Sequence, residues 1–166
     1  IGEGKPLRRV IESGKIPNMI FYGPSGVGKT TVARIIAESA NMRLHKLNGT
    51  SASTADIKGI VSEIDTFLGC NGILLYLDEI QYLNKKQQQS LLEYIEDGSI
   101  TLIASTTENP YFYVYNAILS RSTVFEFKPV MPDEMEKAVR RGFAEIGREN
   151  GTEYDISDEA VQYICH

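Results

Sequence analysis

Eight consecutive residues near the start of the chain limit what it can fold into more than any other stretch. They are Gly23-Pro24-Ser25-Gly26-Val27-Gly28-Lys29-Thr30, and they fit the pattern G-x-x-x-x-G-K-[ST]. The apolar residues 19–22 before them predict a buried strand, and residues 32–40 after them repeat apolar side chains at helical spacing. A strand, a glycine-rich turn and a helix in this order surround phosphate oxygens with backbone N–H groups at a helix N-terminus. The stretch therefore predicts a phosphate-binding loop in an α/β fold.

The loop supplies the candidate contacts for a nucleotide. Lys29 would reach the β- and γ-phosphates, and the Thr30 hydroxyl would ligate Mg²⁺. The expected cofactor-binding residues are Gly23, Pro24, Ser25, Gly26, Val27, Gly28, Lys29, Thr30 and Thr31.

A second apolar strand pattern, residues 72–77, runs directly into Asp78 and Glu79. Open α/β sheets bind ligands at the carboxyl ends of their strands, which is where these acids would lie. Asp78 would hold Mg²⁺, directly or through a water. Glu79 can act as a general base on a water that attacks the γ-phosphate in line. Together with the loop, this pair predicts hydrolysis in addition to binding.

Two later features carry candidate catalytic groups. A predicted strand over residues 100–104 leads to Thr106 and Thr107, where a hydroxyl could contact the γ-phosphate or the attacking water. Arg121 could donate positive charge to the γ-phosphate of a neighbouring subunit. Spacing alone does not choose between the two threonines, or between a catalytic arginine and a solvated surface charge.

Strands and helices alternate as far as residue 128, which predicts a parallel sheet. Pro129 and Pro132 then interrupt the pattern, and two amphipathic helices follow, over residues 132–146 and after Ser157. We therefore expect an α/β subdomain at residues 1–128 and the start of a helical subdomain at residues 129–166. Because the chain begins without Met and ends within a helical pattern, we expect a fragment of a longer protein.

Composition narrows the possible partners and compartment. Seventeen basic and 22 acidic residues give a net charge of −5 without any Lys/Arg-rich run, so the isolated chain is expected to bind nucleic acid weakly. Cys70 and Cys165 lie far apart in sequence and are interpreted as thiols in a reducing cytosol. No apolar run approaches the roughly 20 residues of a membrane-spanning helix. These features predict a cytoplasmic protein with no membrane association.

The order of these motifs resembles that of AAA+ ATPases of the clamp-loader clade: the phosphate loop, Leu77-Asp78-Glu79, Thr106-Thr107 and Leu119-Ser120-Arg121. Residues 100–110, ITLIASTTENP, closely resemble the signature TLIGATTENP of the RarA/MgsA family, which includes the Werner-helicase-interacting ATPase. Residues 84–88, which follow the acidic pair, also resemble that family. One departure is Gln81-Tyr82-Leu83, where the family commonly has His-Arg-Phe.

The resemblance implies a fold and several roles. The fold would be a P-loop AAA+ module with a five-stranded parallel sheet of order 5-1-4-3-2, flanked by helices and followed by part of a helical lid. Thr107, rather than Thr106, would be the residue that senses the γ-phosphate. Arg121 would act in trans as an arginine finger, which requires a homo-oligomer and makes the isolated fragment a weak ATPase. Asn48 is a candidate to restrain Glu79 until DNA binds.

The function implied is the Mg²⁺-dependent ATPase core of a protein of replication-associated recombination and fork maintenance. Its expected partners are single-stranded, gapped or forked DNA and replication proteins such as single-strand-binding protein, with association to the nucleoid if the source is bacterial. Two alternatives stay open: a clamp-loader or RuvB-type DNA motor subunit, and a subunit that binds ATP as a switch with little hydrolysis.

Overall fold

The structure is a computed structural model, and it describes residues 6–63, 71–154 and 156–165. Its strands are β1 (Met19–Tyr22), β2 (Arg43–Asn48), β3 (Ile73–Asp78), β4 (Ile100–Thr106) and β5 (Thr123–Glu126). Its helices are α1 (Pro6–Glu12), α2 (Lys29–Ser39), α3 (Thr54–Ser62), α4 (Lys85–Glu96), α5 (Pro110–Tyr113), α6 (Asn116–Leu119), α7 (Pro132–Asn150) and α8 (Asp158–Cys165). A 3₁₀ turn, Ile80–Tyr82, follows β3.

The strands form one parallel sheet in the order β2-β3-β4-β1-β5. Read from the other edge this is 5-1-4-3-2, so the predicted order is confirmed. β4 lies between β1 and β3, with Ile103 opposite both Met19 and Tyr76. The carboxyl ends of these three strands therefore meet at one edge of the sheet. That edge receives the phosphate loop, the acidic pair and the two threonines.

Two apolar clusters cover the two faces of the sheet. Because successive strand residues point to opposite faces, β3 contributes Leu75 and Leu77 to one cluster and Leu74 and Tyr76 to the other. The first cluster is completed by apolar residues of α3, α4 and α6. The second is completed by α1 and by four buried residues of α2: Val32, Ala33, Ile36 and Ala37. The layers are helix, sheet and helix, and α2 covers the face that carries Tyr76.

Several boundaries differ from the sequence prediction. β4 continues two residues beyond the predicted Ala104, because Ser105 and Thr106 still pair with β1. The sequence predicts a loop after Pro110, whereas α5 forms a helical turn there, and the Asn109 side chain accepts from the Tyr111 amide at 3.1 Å. α7 runs past the predicted Ile146 to Asn150, since the residue that ends it is Gly151, with φ of 64°. The sequence also predicts that the first helix begins at Lys5 and that α3 continues through Ile64 and Phe67; these residues, and Cys70, lie outside the described residues.

The chain divides into two compact units, one ending at Lys128 and the other beginning at Pro129. The second unit consists of α7 and α8. Within it Arg140 of α7 bonds to Glu136 on its own helix and to Asp158 at the start of α8. In the part of the chain that the structure describes, no helix has both the length and the apolar character needed to cross a bilayer.

Candidate nucleotide-binding site

The predicted phosphate loop connects β1 to α2 and is shaped by its glycines. Gly26 and Gly28 have φ of 78° and 91°, in the left-handed region where a side chain is disfavoured. Gly23 is constrained by space as well, because a Cβ there would lie 2.0 Å from the carbonyl oxygen of Phe127. The loop ends at the first turn of the 11-residue helix α2, whose N-terminus carries a partial positive charge. The backbone of this loop therefore has the shape and the partial charge needed to bind an anion.

Lys29 lies in the first turn of α2, and its side chain folds back over the loop. Its ammonium group donates to the carbonyl oxygens of Gly23 at 2.6 Å and Pro24 at 2.8 Å. The residue is only 8% exposed. A buried cation needs partners, and here they are neutral carbonyls that an anionic phosphate could replace with a stronger, charge-assisted contact.

Thr30 and Asp78, the two predicted Mg²⁺ ligands, are joined through two other hydroxyl groups. Thr30 Oγ1 lies 3.0 Å from Tyr76 Oη, which lies 2.9 Å from Ser105 Oγ and 3.3 Å from Asp78 Oδ1. Ser105 Oγ in turn donates to Asp78 Oδ1. Burial raises the pKa of Tyr76 above its ordinary value, with its hydrogen bonds to Ser105 and Thr30 acting in the opposite direction. The phenol therefore stays protonated across the physiological range.

Glu79 follows β3 in an unusual backbone conformation. Its φ and ψ are both 54°, in the left-handed region. Its carboxylate oxygen Oε2 accepts from the Gln81 side-chain amide at 2.5 Å and lies 3.5 Å from the Thr107 hydroxyl. Asn48, the sequence candidate for restraining Glu79, uses its side-chain oxygen for the backbone amide and hydroxyl of Thr50. The amide side chain that bonds to the Glu79 carboxylate in this structure is that of Gln81.

The two threonines at the end of β4 have different surroundings. Thr106 is fully buried; its carbonyl accepts from the Gly23 amide and its hydroxyl from the Glu108 amide. Thr107 is exposed and faces Glu79. Of the two hydroxyl groups, the one beside the Glu79 carboxylate is therefore that of Thr107.

These side chains surround a cavity of about 280 Å³ at the sheet edge. It is lined by Ser25, Gly26, Gly28, Lys29, Thr30, Thr31, Tyr76, Asp78 and Glu79. Of the other predicted loop residues, Gly23 and Pro24 hold Lys29 through their carbonyls, and Val27 is not part of the lining.

Arg121, another predicted site residue, does not line this cavity. It lies in the turn between α6 and β5, half-exposed, and pairs with Glu96 at 2.5 Å. A second contact runs to the Ala117 carbonyl at 3.0 Å. Arg121 is therefore held by contacts within its own chain and does not line this cavity.

Sequence reasoning missed three polar residues of the site: Tyr76, Ser105 and Gln81. The first had a usable signal, since a residue two before Asp78 on a strand points to the same face. The signal at Ser105 was weaker, because Ser105 is recognised as a strand residue near the site only if β4 is extended past Ala104. Gln81 had none, since its contact with Glu79 depends on the turn after β3.

Comparison with known proteins agrees with this geometry. The model of the ATPase family associated with various cellular activities (AAA) matches residues 19–130. Replication-associated recombination protein A of Haemophilus influenzae is 42% identical over 99% of this chain, and its Bacillus subtilis namesake is 35% identical over 100%. The chain spans 37% and 39% of the lengths of those two relatives. The resemblance to the RarA/MgsA family is thereby confirmed.

Solved structures show the same fold. The RuvB Holliday junction branch migration motor of Thermotoga maritima gives a TM-score of 0.71 at 24% identity, covering 96% of this chain and 52% of that one. A single-residue variant of the same RuvB gives 0.77 at 23% identity, covering 99% and 56%. With the P-loop, the acidic pair and the confirmed strand order, these matches lead to one conclusion: the chain belongs to the AAA family of ATPases.

Proposed function

We propose that this chain is the Mg²⁺-dependent ATPase core of a protein of replication-associated recombination and fork maintenance. The observation that carries the proposal is the meeting of Lys29, Thr30, Asp78 and Glu79 around one cavity, with Thr107 beside Glu79. The names of its relatives support the DNA-linked role, and the site supports the chemistry.

The residues fit a nucleotide with Mg²⁺. Mg²⁺ prefers oxygen ligands, keeps several waters, and takes one or two protein oxygens plus substrate phosphates. Thr30 and Asp78 offer such a pair, and no group of three metal-ligating side chains is found within the described ranges. These two residues would hold the cation, which when bound would neutralise charge on the phosphates.

The chain's own residues then divide the work of hydrolysis. Lys29 exchanges its carbonyl contacts for the β- and γ-phosphates, and the loop amides hold the same oxygens, so negative charge is stabilised as it develops. Glu79 orients a water and accepts its proton as that water attacks the γ-phosphorus, while the bond from the γ-phosphorus to the bridging oxygen breaks and ADP leaves. Thr107, 3.5 Å from Glu79, places its hydroxyl beside the same reacting group. Arg121 of a neighbouring subunit completes the charge stabilisation.

Oligomer, DNA and partners belong to the same proposal. Because Arg121 does not line the cavity of its own chain, the mechanism requires assembly of like subunits, and the isolated chain would hydrolyse ATP weakly. A net charge of −5 gives the isolated chain little attraction for phosphate backbones. DNA, whether single-stranded, gapped or forked, would therefore bind the assembled protein, with single-strand-binding protein as a further partner. A cytoplasmic location, associated with the nucleoid in a bacterium, fits this role.

Replacing Glu79 tests the chemistry directly. Glu79→Gln keeps the shape and removes the base, so the full-length protein should bind ATP as tightly as wild type and lose at least about 100-fold in turnover. Nucleotide affinity is measured by fluorescence titration and turnover by phosphate release. Glu38→Gln, an exposed change on α2, serves as the matched control.

The outcomes separate the alternatives. Unchanged turnover in Glu79→Gln would remove the base assignment. A wild-type protein that binds ATP without turnover, even when assembled, would favour the ATP-binding switch. Turnover that no single-stranded, gapped or forked DNA stimulates would contradict the fork-maintenance role and leave the ATPase assignment standing.

A further inference from the structure

Four side chains link the loop helix to the acidic strand through a continuous path of hydroxyl groups. The path runs from Thr30 on α2 to Tyr76 on β3, then to Ser105 on β4, and ends on the Asp78 carboxylate. The distance from Thr30 Oγ1 to Tyr76 Oη is 3.0 Å, and the distance from Tyr76 Oη to Ser105 Oγ is 2.9 Å. From the sequence, no site role is predicted for Tyr76 or Ser105. We call these four residues the hydroxyl chain.

The hydroxyl chain has one consistent direction. A carboxylate only accepts, so Ser105 donates to Asp78 and its own oxygen is left to accept from Tyr76. Tyr76 has a single proton, which it donates to Ser105 at 2.9 Å or to Asp78 at 3.3 Å, so in either case the phenol oxygen accepts from Thr30. The Thr30 proton therefore points toward Tyr76. The hydroxyl chain therefore uses the proton of Thr30 and not its lone pairs, which a metal ligand needs, and Thr30 lines the cavity.

Burial of Tyr76 and Ser105 favours this hydrogen-bond arrangement over alternatives that leave a hydroxyl without a partner. Tyr76 is 2% exposed and Ser105 is fully buried, so each hydroxyl would be costly without a partner. The Tyr76 ring lies in the apolar cluster under α2, beside Phe21 and Ile36, which fixes the direction of its hydroxyl. The Tyr76 phenol therefore extends from the sheet to the first turn of α2 in a fixed orientation.

We propose that Tyr76 is a positioning residue for the divalent cation, holding Thr30 and Asp78 in the orientation that receives it. The proposal rests on the proposed function, since it takes these two residues as the cation ligands. Removing a side chain that orients a metal ligand typically lowers metal affinity by about 10- to 100-fold. Tyr76 is expected to act on the cation and not on the phosphates, which Lys29 and the loop amides bind.

Tyr76→Phe is the decisive variant, since it removes one oxygen and keeps the ring. A fluorescent ATP analogue is titrated into the full-length protein at stepped Mg²⁺ concentrations and again in EDTA. The Mg²⁺ concentration for half-maximal binding should rise about tenfold. Affinity for the analogue in EDTA should stay at the wild-type value. Ser105→Ala, which breaks the chain at its next link, should shift the Mg²⁺ midpoint in the same direction.

Controls keep this inference separate from the proposed function. Tyr94→Phe makes the same chemical change on α4, in the other apolar cluster, and should leave the midpoint unchanged. Asp78→Asn should lose the Mg²⁺ response; if it keeps that response, the assigned cation site is wrong. If Asp78→Asn loses it while Tyr76→Phe matches wild type, only the role of Tyr76 is overturned. If Tyr76→Phe loses the same affinity for the analogue with and without Mg²⁺, the proposed role of Tyr76 is also overturned. A thermal melt of each variant checks that the variant is folded.

Discussion

Glu79 combines a chemical role with a backbone conformation that costs stability. A residue with a Cβ in the left-handed region is disfavoured by roughly 1–2 kcal/mol. Its surroundings hold it there: the Gly49 amide bonds to the Asp78 carbonyl at 2.7 Å, and the Tyr82 amide bonds to the Glu79 carbonyl at 3.1 Å. Gly49 has to be small, because a Cβ there would lie 2.3 Å from the Glu79 carbonyl oxygen. The strain turns the carboxylate away from the line of β3, toward Thr107 and Gln81.

This strain predicts that glycine is more stable than alanine at position 79, which is the reverse of the usual order. Glu79→Gly and Glu79→Ala both delete the carboxylate, but only glycine relieves the left-handed backbone. Glu79→Gly should therefore be more stable than Glu79→Ala by about 1 kcal/mol, as measured by urea unfolding.

The matched pair at Lys58 supplies the control for that comparison. Lys58 is exposed within α3, where glycine should be less stable than alanine by about 1 kcal/mol. Equal stability of the two Glu79 variants, or the order found at Lys58, would contradict strain at Glu79.

At the level of elements, α3 and α4 begin with reciprocal caps, and the sequence carries a cap signal at each, Ser53-x-x-Asp56 and Asn84. Ser53 and Asp56 form a capping box at α3, and Asn84 and Gln87 form another at α4. The Gln87 side-chain amide also bonds to the Ala52 carbonyl at 3.0 Å, which ties the start of α4 to the residues leading into α3. The caps therefore set where both helices begin on their face of the sheet.

The α3 cap predicts a pH-dependent contribution to stability. The Ser53 hydroxyl, and then the Ser53 backbone amide, hold the pKa of Asp56 below its ordinary value of 3.8. A carboxylate with a lowered pKa stabilises the fold above that ordinary value, and the contribution is lost as the pH falls through its folded pKa. Asp56→Ala should thus destabilise at pH 7, and the deficit in unfolding free energy should shrink as the pH is lowered below 3.8.

A double-mutant cycle with Ser53→Ala checks the cause. Ser53→Ala alone should cost about 1 kcal/mol as a lost N-cap. In that background Asp56→Ala should have a smaller effect, because the two residues share the same hydrogen bonds. A deficit that is independent of pH, or fully additive, would show that Asp56 acts through something other than the cap.

For the molecule as a whole, Arg121 is the residue whose proposed role needs a second copy. Its pairing with Glu96 is exposed on both sides and is worth about 0–1 kcal/mol, so a neighbour's γ-phosphate could displace it. Every other group of the proposed mechanism is collected around the cavity or beside Glu79. The catalytic unit would therefore be the contact between two subunits.

A mixing experiment tests that division. In the full-length protein, Arg121→Ala should lose about 10³-fold in turnover while keeping its nucleotide affinity, and Glu79→Gln should be similarly inactive. A mixture of the two should regain activity, since Arg121→Ala subunits keep an intact site that can receive the arginine of a Glu79→Gln neighbour. A mixture no more active than its components would contradict action in trans.

The sequence by itself determined the features that depend on near neighbours in the chain. The phosphate loop, the strand ending in Asp78, the cap at Asn84 and the alternation of strands and helices all depend on short-range spacing, which a linear pattern records directly. The strand order followed from the family resemblance carried by residues 100–110. The predicted loop after Ile146 was wrong, because a glycine at that point does not by itself end a helix.

Only the tertiary structure decided which of these features meet. The hydroxyl chain joins residues 30, 76, 105 and 78, which come together because β4 inserts between β1 and β3 while α2 crosses the same face. The partner of Glu79 was likewise undecided until the turn after β3 placed Gln81, and not Asn48, beside it. Hydrogen bonds act over about 3 Å in space, and a linear pattern carries no measure of that distance between residues far apart in sequence.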